Sequence, residues 1–182
     1  MRRLILFRHG KAELAGLTGG DRERPLAARG RGDAQKTAQW LSAAGFVPDL
    51  VLVSPALRTR STWQSASATF PSAQVEVRDS LYLAGSEGII DELETAPPDT
   101  DTIMVVGHNP GLQELALELA IEGDAPQEQV DWINDGIPTA TALVFRMRGS
   151  RSAAVEAVFA PPPRADDRPR WAFFKANAGE PD

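Results

Sequence analysis

The chain of 182 residues has the length and composition of one globular domain, with 42% hydrophobic and 24% charged residues. Its formal net charge of −6 disfavours a general role in binding nucleic acids or anionic membrane surfaces. The absence of cysteine excludes disulfides, a thiolate nucleophile and cysteine metal sites. We expect a monomer with a single domain over residues 1–182 and an irregular tail after about residue 160.

The amino terminus carries two arginines before a short apolar run, which weakly imitates a signal peptide. The run Leu4–Phe7 is much shorter than the roughly 7–15 apolar residues of a signal-peptide core, and charge returns at Arg8. No later stretch approaches the roughly 20 apolar residues that a membrane-spanning helix needs. We therefore expect a cytoplasmic protein that does not associate with membranes.

Three continuous apolar runs predict strands that are buried on both faces. These runs are Leu4–Phe7, Leu50–Val53 and Ile103–Val106. Because no polar residue alternates with the apolar ones, the runs are typical of a parallel sheet that helices cover on both sides.

Helical patterns separate these runs. The predicted helices are a segment that ends near Gly45 and residues 57–70, 86–96 and 110–122. Alternation of strands and helices indicates an α/β fold, a three-layer sandwich around a mostly parallel central sheet.

The last third of the chain has a different pattern. Thr141–Met147 and Val155–Phe159 predict two further strands around a turn at Gly149 and Ser150. The stretch "PPPRADDRPR" that follows is rich in proline and charge, so it is predicted to be irregular.

Polar residues follow each of the three buried strands. The motif "RHG" ends the first, "SPALR" follows the second, and "GHNPG" follows the third. Because ligands of open α/β sheets bind beyond the carboxyl ends of the strands, we expect one pocket to contain Arg8, His9, Arg58 and His108. These are the catalytic candidates.

The chemistry of these motifs favours an anion. Asn109 is the predicted N-cap of a helix that begins at Pro110, and a helix N-terminus offers free N–H groups and a partial positive charge. Gly10 allows close approach of the backbone. Arg8 and Arg58 can each bind phosphate oxygens in bidentate fashion. A phosphoryl group is the expected occupant.

Each motif by itself has an ordinary structural explanation. An arginine at a strand end is usually solvated or ion-paired, a lone histidine is more often structural than catalytic, and "RHG" occurs by chance. Three such motifs in this order, each after a predicted strand, are much less expected by chance.

The motifs "LFRHGKAE", "SPALRTRSTW" and "VVGHNPGLQEL" resemble the histidine phosphatase superfamily, which has the phosphoglycerate mutase-like fold. The short length, "DRERPLAARG" and "GHNPGLQEL" are similar to its SixA branch, the phosphohistidine phosphatases. The resemblance runs from Met1 to about Phe145 and does not extend beyond Gly149.

The resemblance implies that His9 is a nucleophile that becomes a phosphohistidine, while Arg8, Arg58 and His108 hold the phosphoryl oxygens. Four such groups need no metal, and the sequence has no dense carboxylate cluster for Mg²⁺, so we expect neither metal nor other cofactor.

Three further residues are candidates for substrate binding. They are Gly10, Asn109 and Arg24, which lies in a loop expected to overhang the pocket. For Arg24, a salt bridge with Asp21 is an equally good interpretation.

Two departures from the larger relatives bear on the substrate. Tyr82, in "RDSLYLAG", occupies the position where many members carry a glutamate, and the chain has no room for a lid insertion. Both features favour an easy leaving group such as phosphohistidine in a partner protein. The alternatives are a phosphomonoesterase of the same fold that acts on small molecules and, from another class, a non-catalytic phosphate-binding module.

Overall fold

A computed structural model describes residues 1–14, 20–149 and 151–162. The strands are β1 (Arg3–Arg8), β2 (Leu50–Val53), β3 (Gln74–Val77), β4 (Thr102–Gly107), β5 (Ala142–Met147) and β6 (Ala153–Phe159). The helices are α1 (Ala28–Ala43), α2 (Leu57–Ala66), α3 (Ser86–Glu94), α4 (Gly111–Glu122) and α5 (Gln127–Asp135).

The six strands form one sheet in the order β3-β2-β4-β1-β5-β6. The first four are parallel, whereas β5 and β6 pair in antiparallel fashion. The predicted α/β fold with a mostly parallel sheet is therefore confirmed. Arg8 is in register with Gly107, so β1 and β4 end side by side.

The continuous apolar runs reflect a sheet that is covered on both faces. Alternate residues of β1 enter different core clusters: Leu6 packs in the cluster that contains Leu112 of α4, and Phe7 in the cluster that contains Ala38 of α1. Burial of each such side chain contributes about 1.5–3 kcal/mol to folding.

Several predicted boundaries differ from the structure. The second predicted helix ends at Ala66 and continues as a short 3₁₀ turn, and the third ends at Glu94 rather than at residue 96. Strand β3 and helix α5 were not predicted. β3 is a short edge strand whose Val75 and Val77 are exposed, so its pattern lacks the continuous apolar run of a buried strand.

The predicted turn at Ser150 and most of the predicted irregular tail lie outside the described residues. Within the described ranges, no helix is long and apolar enough to span a membrane.

The segment after β1 is in main-chain contact with the first turn of α1. A Cβ atom at Gly10 would lie 2.4 Å from the carbonyl oxygen of Gly30, and one at Gly30 would lie 2.2 Å from that of Lys11. Two glycines thus allow the backbone beside His9 to pack directly on α1.

We predict that Gly30→Ala destabilises the fold by about 1–3 kcal/mol, because the added methyl group overpacks a contact between main chains. Gly32→Ala is the matched control in the same helix. Nothing lies within 4 Å of its Cβ position, so it should stabilise the helix by up to about 1 kcal/mol. Urea unfolding of both variants measures the difference, and equal midpoints would contradict the prediction.

Candidate active site

The carboxyl edge of the sheet brings together the four residues predicted to be catalytic. Arg8 ends β1 and His9 follows it, His108 follows β4, and Arg58 lies in the first turn of α2. The ring centroids of His9 and His108 are 5.3 Å apart, and Arg58 Nε lies 3.3 Å from His108 Nδ1.

His9 is oriented by the carbonyl group of the next residue. Its Nδ1 lies 2.7 Å from the oxygen of Gly10, which can only accept a hydrogen bond, so Nδ1 carries the proton. In the neutral ring, Nε2 then keeps a free lone pair. Burial, with smaller contributions from the charges of Arg8, His108 and Arg58, lowers the pKa of His9 to about 3 against the raising effect of the Gly10 hydrogen bond.

His108 is held at both ring nitrogens. Nδ1 accepts from Arg58 Nε, so in the neutral ring Nε2 carries the proton and donates to Ser54 Oγ at 2.7 Å. Burial, with smaller contributions from the charges of Arg58 and Arg8, lowers the pKa of His108 to about 4, and the charge of Asp21 opposes them. A neutral His108 therefore has no N–H left for a phosphoryl oxygen.

Arg8 has one donor without a partner. Nη1 donates to the carbonyl oxygen of Ile137, whereas Nε is buried and has no hydrogen-bond acceptor among the described residues. Burial lowers the pKa of Arg8 to about 10, so the side chain remains a cation at neutral pH. An anionic oxygen beside this side chain would be stabilised by its charge.

Arg58 is a buried cation that connects several parts of the site. Its side chain is only 4% exposed, and its Nη1 and Nη2 donate to the backbone oxygen (2.6 Å) and to Oδ2 (2.9 Å) of Asp21. Its carbonyl oxygen accepts from Thr62 Oγ1, and that hydroxyl accepts from the amide of Gly10. Arg58 thus links the residues after β1, α2 and the loop that carries Asp21.

Sequence reasoning missed Asp21 as a site residue and considered it only as a partner of Arg24. Its carboxylate accepts hydrogen bonds from Arg24 (3.1 Å), Tyr82 (3.0 Å) and Arg58. These bonds, led by the one from Arg24, lower its pKa to about 2 against an opposing effect of desolvation. The only available signal was the spacing of three residues between Asp21 and Arg24.

The structure changes the interpretation of the candidate substrate-binding residues. Arg24 forms the salt bridge with Asp21 and also donates to the carbonyl oxygen of Glu13 at 3.0 Å. The amide of Gly10 is already bonded to Thr62, and its missing side chain makes room for α1, so the structure gives Gly10 a packing role.

The predicted N-cap at Asn109 is wrong. Helix α4 begins at Gly111 with Pro110 in the cap position and without a capping side-chain hydrogen bond. The Asn109 amide instead donates to Gln113 Oε1 (3.0 Å) and to the carbonyl oxygen of Ile137 (3.3 Å). Asn109 therefore fixes the loop that also holds Arg8.

The arrangement combines a neutral imidazole with an unprotonated nitrogen and two partly or fully buried guanidinium groups. This combination suits a phosphoryl group, which needs a nucleophile on one side and positive charge around its oxygens. Within the described part of the chain, no three His, Asp or Glu side chains converge as a metal site would require.

Comparison with known proteins agrees with the geometry. A model of the histidine phosphatase superfamily (branch 1) matches residues 4–82, which include Arg8, His9 and Arg58. An uncharacterized chloroplastic protein of Arabidopsis thaliana is 41% identical over 131 residues. That alignment covers 65% of this chain and 59% of the relative, so less than two thirds of the relative's length is matched.

Two solved structures bear the name "putative phosphohistidine phosphatase SixA". The protein from Agrobacterium tumefaciens is 28% identical, with a TM-score of 0.77 over 88% of this chain and 98% of its own. The one from Nakamurella multipartitia is 31% identical, with a TM-score of 0.74 over 88% and 96%. The chain belongs to the histidine phosphatase superfamily. Within this superfamily it is of the SixA type.

We predict that both imidazoles of this histidine phosphatase titrate well below the usual pKa of about 6.5, with the pKa of His9 below that of His108. His9 and His108 are the only histidines in the chain, so NMR gives two ring signals. His108→Gln assigns them. Saturating phosphate should raise the pKa of at least one ring, and titration of both near 6.5 without an anion would contradict the prediction.

The same shifts predict acid destabilisation. Below about pH 6.5 the unfolded chain binds protons at both imidazoles, whereas the folded chain does not until about pH 4 at His108 and about pH 3 at His9. The free energy of unfolding should therefore fall as the pH falls from 6.5 towards 4. Urea unfolding across this range should show a smaller fall in His9→Gln than in the wild-type protein.

Proposed function

We propose that this protein is a phosphatase that removes the phosphoryl group from a phosphohistidine of a partner protein, through a covalent phosphohistidine on its own His9 and without a metal ion. One observation carries the proposal. The hydrogen bond to the Gly10 carbonyl group holds the ring proton of His9 on Nδ1. Nε2 is therefore left as a neutral nucleophile among Arg8, Arg58 and His108.

The reaction proceeds in two transfers. His9 Nε2 attacks phosphorus as the bond from phosphorus to the substrate imidazole breaks, and the bonding pair stays on that imidazole, which is protonated on its other nitrogen and leaves neutral. Water then attacks the phosphoryl group on His9. The electron pair of the broken bond returns to Nε2, and the water proton passes to inorganic phosphate. Charge on the phosphoryl oxygens is stabilised by Arg8 and Arg58 throughout.

His108 takes part through a change of protonation. In the free site its Nδ1 accepts from Arg58 Nε. A phosphoryl dianion beside His108 raises the pKa of the ring, so that Nδ1 takes up a proton from solvent. Nδ1 and Arg58 Nε then each donate to a phosphoryl oxygen instead of being bonded to each other. Ser54 keeps the ring oriented through Nε2 during this exchange.

The groups near the mouth of the site favour a leaving group that needs no strong acid. The Asp21 carboxylate is ionised at any working pH because its pKa is about 2. Partial desolvation and the hydrogen bond to Asp21 raise the pKa of the Tyr82 phenol, which makes it a poor acid. An imidazole can leave without their help, whereas an alkoxide needs a proton from a general acid.

We predict that His9→Ala abolishes turnover while part of the phosphate affinity remains, because Arg8 and Arg58 are still present. Arg58→Ala should weaken phosphate binding by about 1.5–3 kcal/mol and lower kcat by roughly 10²–10³. Arg60→Ala is the control, since Arg60 is an exposed arginine of the same helix. Rates with a phosphohistidine peptide and calorimetry with phosphate measure both effects.

Rapid quenching with labelled phosphohistidine peptide tests the intermediate directly. Quenching must be alkaline, because phosphohistidine is unstable in acid. Label on His9 supports the proposal, and label on another residue or near wild-type turnover by His9→Ala would overturn it. Comparison with a panel of small phosphate esters separates the protein substrate from the small-molecule alternative.

We also predict that activity is unchanged after exhaustive treatment with EDTA, because the positive charge around the phosphoryl oxygens comes from Arg8 and Arg58 rather than from a metal. The control adds Mg²⁺ to the treated enzyme. Loss of activity that returns with Mg²⁺ would contradict the metal-free mechanism.

A further inference from the structure

The residues around the site carry a net positive charge, opposite in sign to that of a bound phosphoryl group. Three guanidinium groups and one carboxylate carry charge around the site: Asp21 binds Arg24 and Arg58, and Arg8 lies near the two histidines. Both histidines are neutral near pH 7 because their pKa values are lowered to about 3 and about 4. The free site therefore has two net positive charges, and the proton that His108 takes up with a phosphoryl group adds a third.

Asp21 lies close enough to Arg58 for its carboxylate to interact electrostatically with a bound phosphoryl group and with its leaving group. It binds Nη2 of Arg58, whose side chain is 4% exposed, while its own side chain is 46% exposed. The carboxylate thus lies between the buried guanidinium and solvent. A phosphoryl group on Arg58 shares this guanidinium with Asp21, so the two anions are only about 4–6 Å apart.

The geometry of transfer directs the leaving group outward. The leaving atom lies opposite His9 Nε2 across phosphorus, because phosphoryl transfer is in line. Arg58 and His108 are buried, whereas the Asp21 side chain is 46% exposed, so a group that departs towards solvent on this side of Arg58 would pass the Asp21 carboxylate. Arg22 is also near this side, but its partner Asp79, at 2.6 Å, cancels its charge.

We propose that Asp21 is a specificity-determining residue: its carboxylate offsets one of the positive charges of the site and thereby disfavours substrates whose leaving group carries a carboxylate or a second phosphate. Neutral and cationic leaving groups are accepted, and the imidazole of a phosphohistidine is one of them. The inference rests on the proposed phosphatase function and deepens it, since it assigns the selection of substrates by the charge of their leaving group to one side chain.

The test uses three phenyl phosphates that differ in their para substituent. Carboxy, hydroxymethyl and aminomethyl groups make the leaving group anionic, neutral and cationic at similar size. For each substrate, kcat/KM of Asp21→Asn is divided by kcat/KM of the wild-type enzyme, which cancels the intrinsic reactivity of the ester. The control is Glu23→Gln, which removes an exposed carboxylate of the same short 3₁₀ turn as Asp21.

In Asp21→Asn, the preference for the carboxy over the aminomethyl substrate should rise about tenfold, since a unit charge some 6 Å away is removed at partial solvent exposure. Glu23→Gln should change this preference less than about twofold, because the charge of an exposed carboxylate is screened by solvent. Arg24→Gln removes a positive charge and should shift the preference in the opposite direction, which provides a second variant if Asp21→Asn folds poorly.

The outcomes separate the two proposals. An equal change for all three substrates in Asp21→Asn would mean that Asp21 only positions Arg58, and would overturn the inference while the phosphatase function stands. If the wild-type enzyme hydrolyses none of the three esters and no phosphohistidine peptide, the proposed function fails, and the inference fails with it.

Discussion

The site depends on the burial of one cation, the guanidinium of Arg58. This group contacts His108 after β4 and Asp21 in the loop before α1, and its backbone reaches Gly10 through Thr62. A buried charge is costly unless its donors are satisfied, so each of these segments is held in the one arrangement that satisfies them. The position of Arg58 therefore fixes the relative positions of parts of the chain that are distant in sequence.

Burial, together with the neighbouring positive charges, keeps both histidines neutral. For His9, neutrality leaves the lone pair of Nε2 available, and the Gly10 carbonyl selects the nitrogen that keeps it. For His108, neutrality makes Nδ1 an acceptor for Arg58 until an anion arrives. Two identical side chains thus take different proposed roles because their hydrogen-bond partners differ.

The sequence predicted the sheet and the convergence of Arg8, His9, Arg58 and His108 because buried parallel strands have a strong pattern and their carboxyl ends meet at one edge. It could not predict contacts made by loops. Asp21 belongs to no periodic element, so its place beside Arg58 has no local signal. Asn109 looked like a helix cap because of its neighbours, but tertiary acceptors at Gln113 and Ile137 engage its amide instead. The edge strand β3 was not predicted for a related reason, since its exposed residues lack the continuous apolar run of a buried strand.

The contact between Gly10 and Gly30 has a consequence for the loop between them. Near its base, the loop pairs with itself, through hydrogen bonds from Ala27 to Lys11 and from Glu13 to Pro25. Both ends are thereby anchored by main-chain contacts that do not involve the side chains in between. Side chains on this loop other than Asp21, which binds Arg58, can consequently diverge in charge without displacing the nucleophile beside the base of the loop.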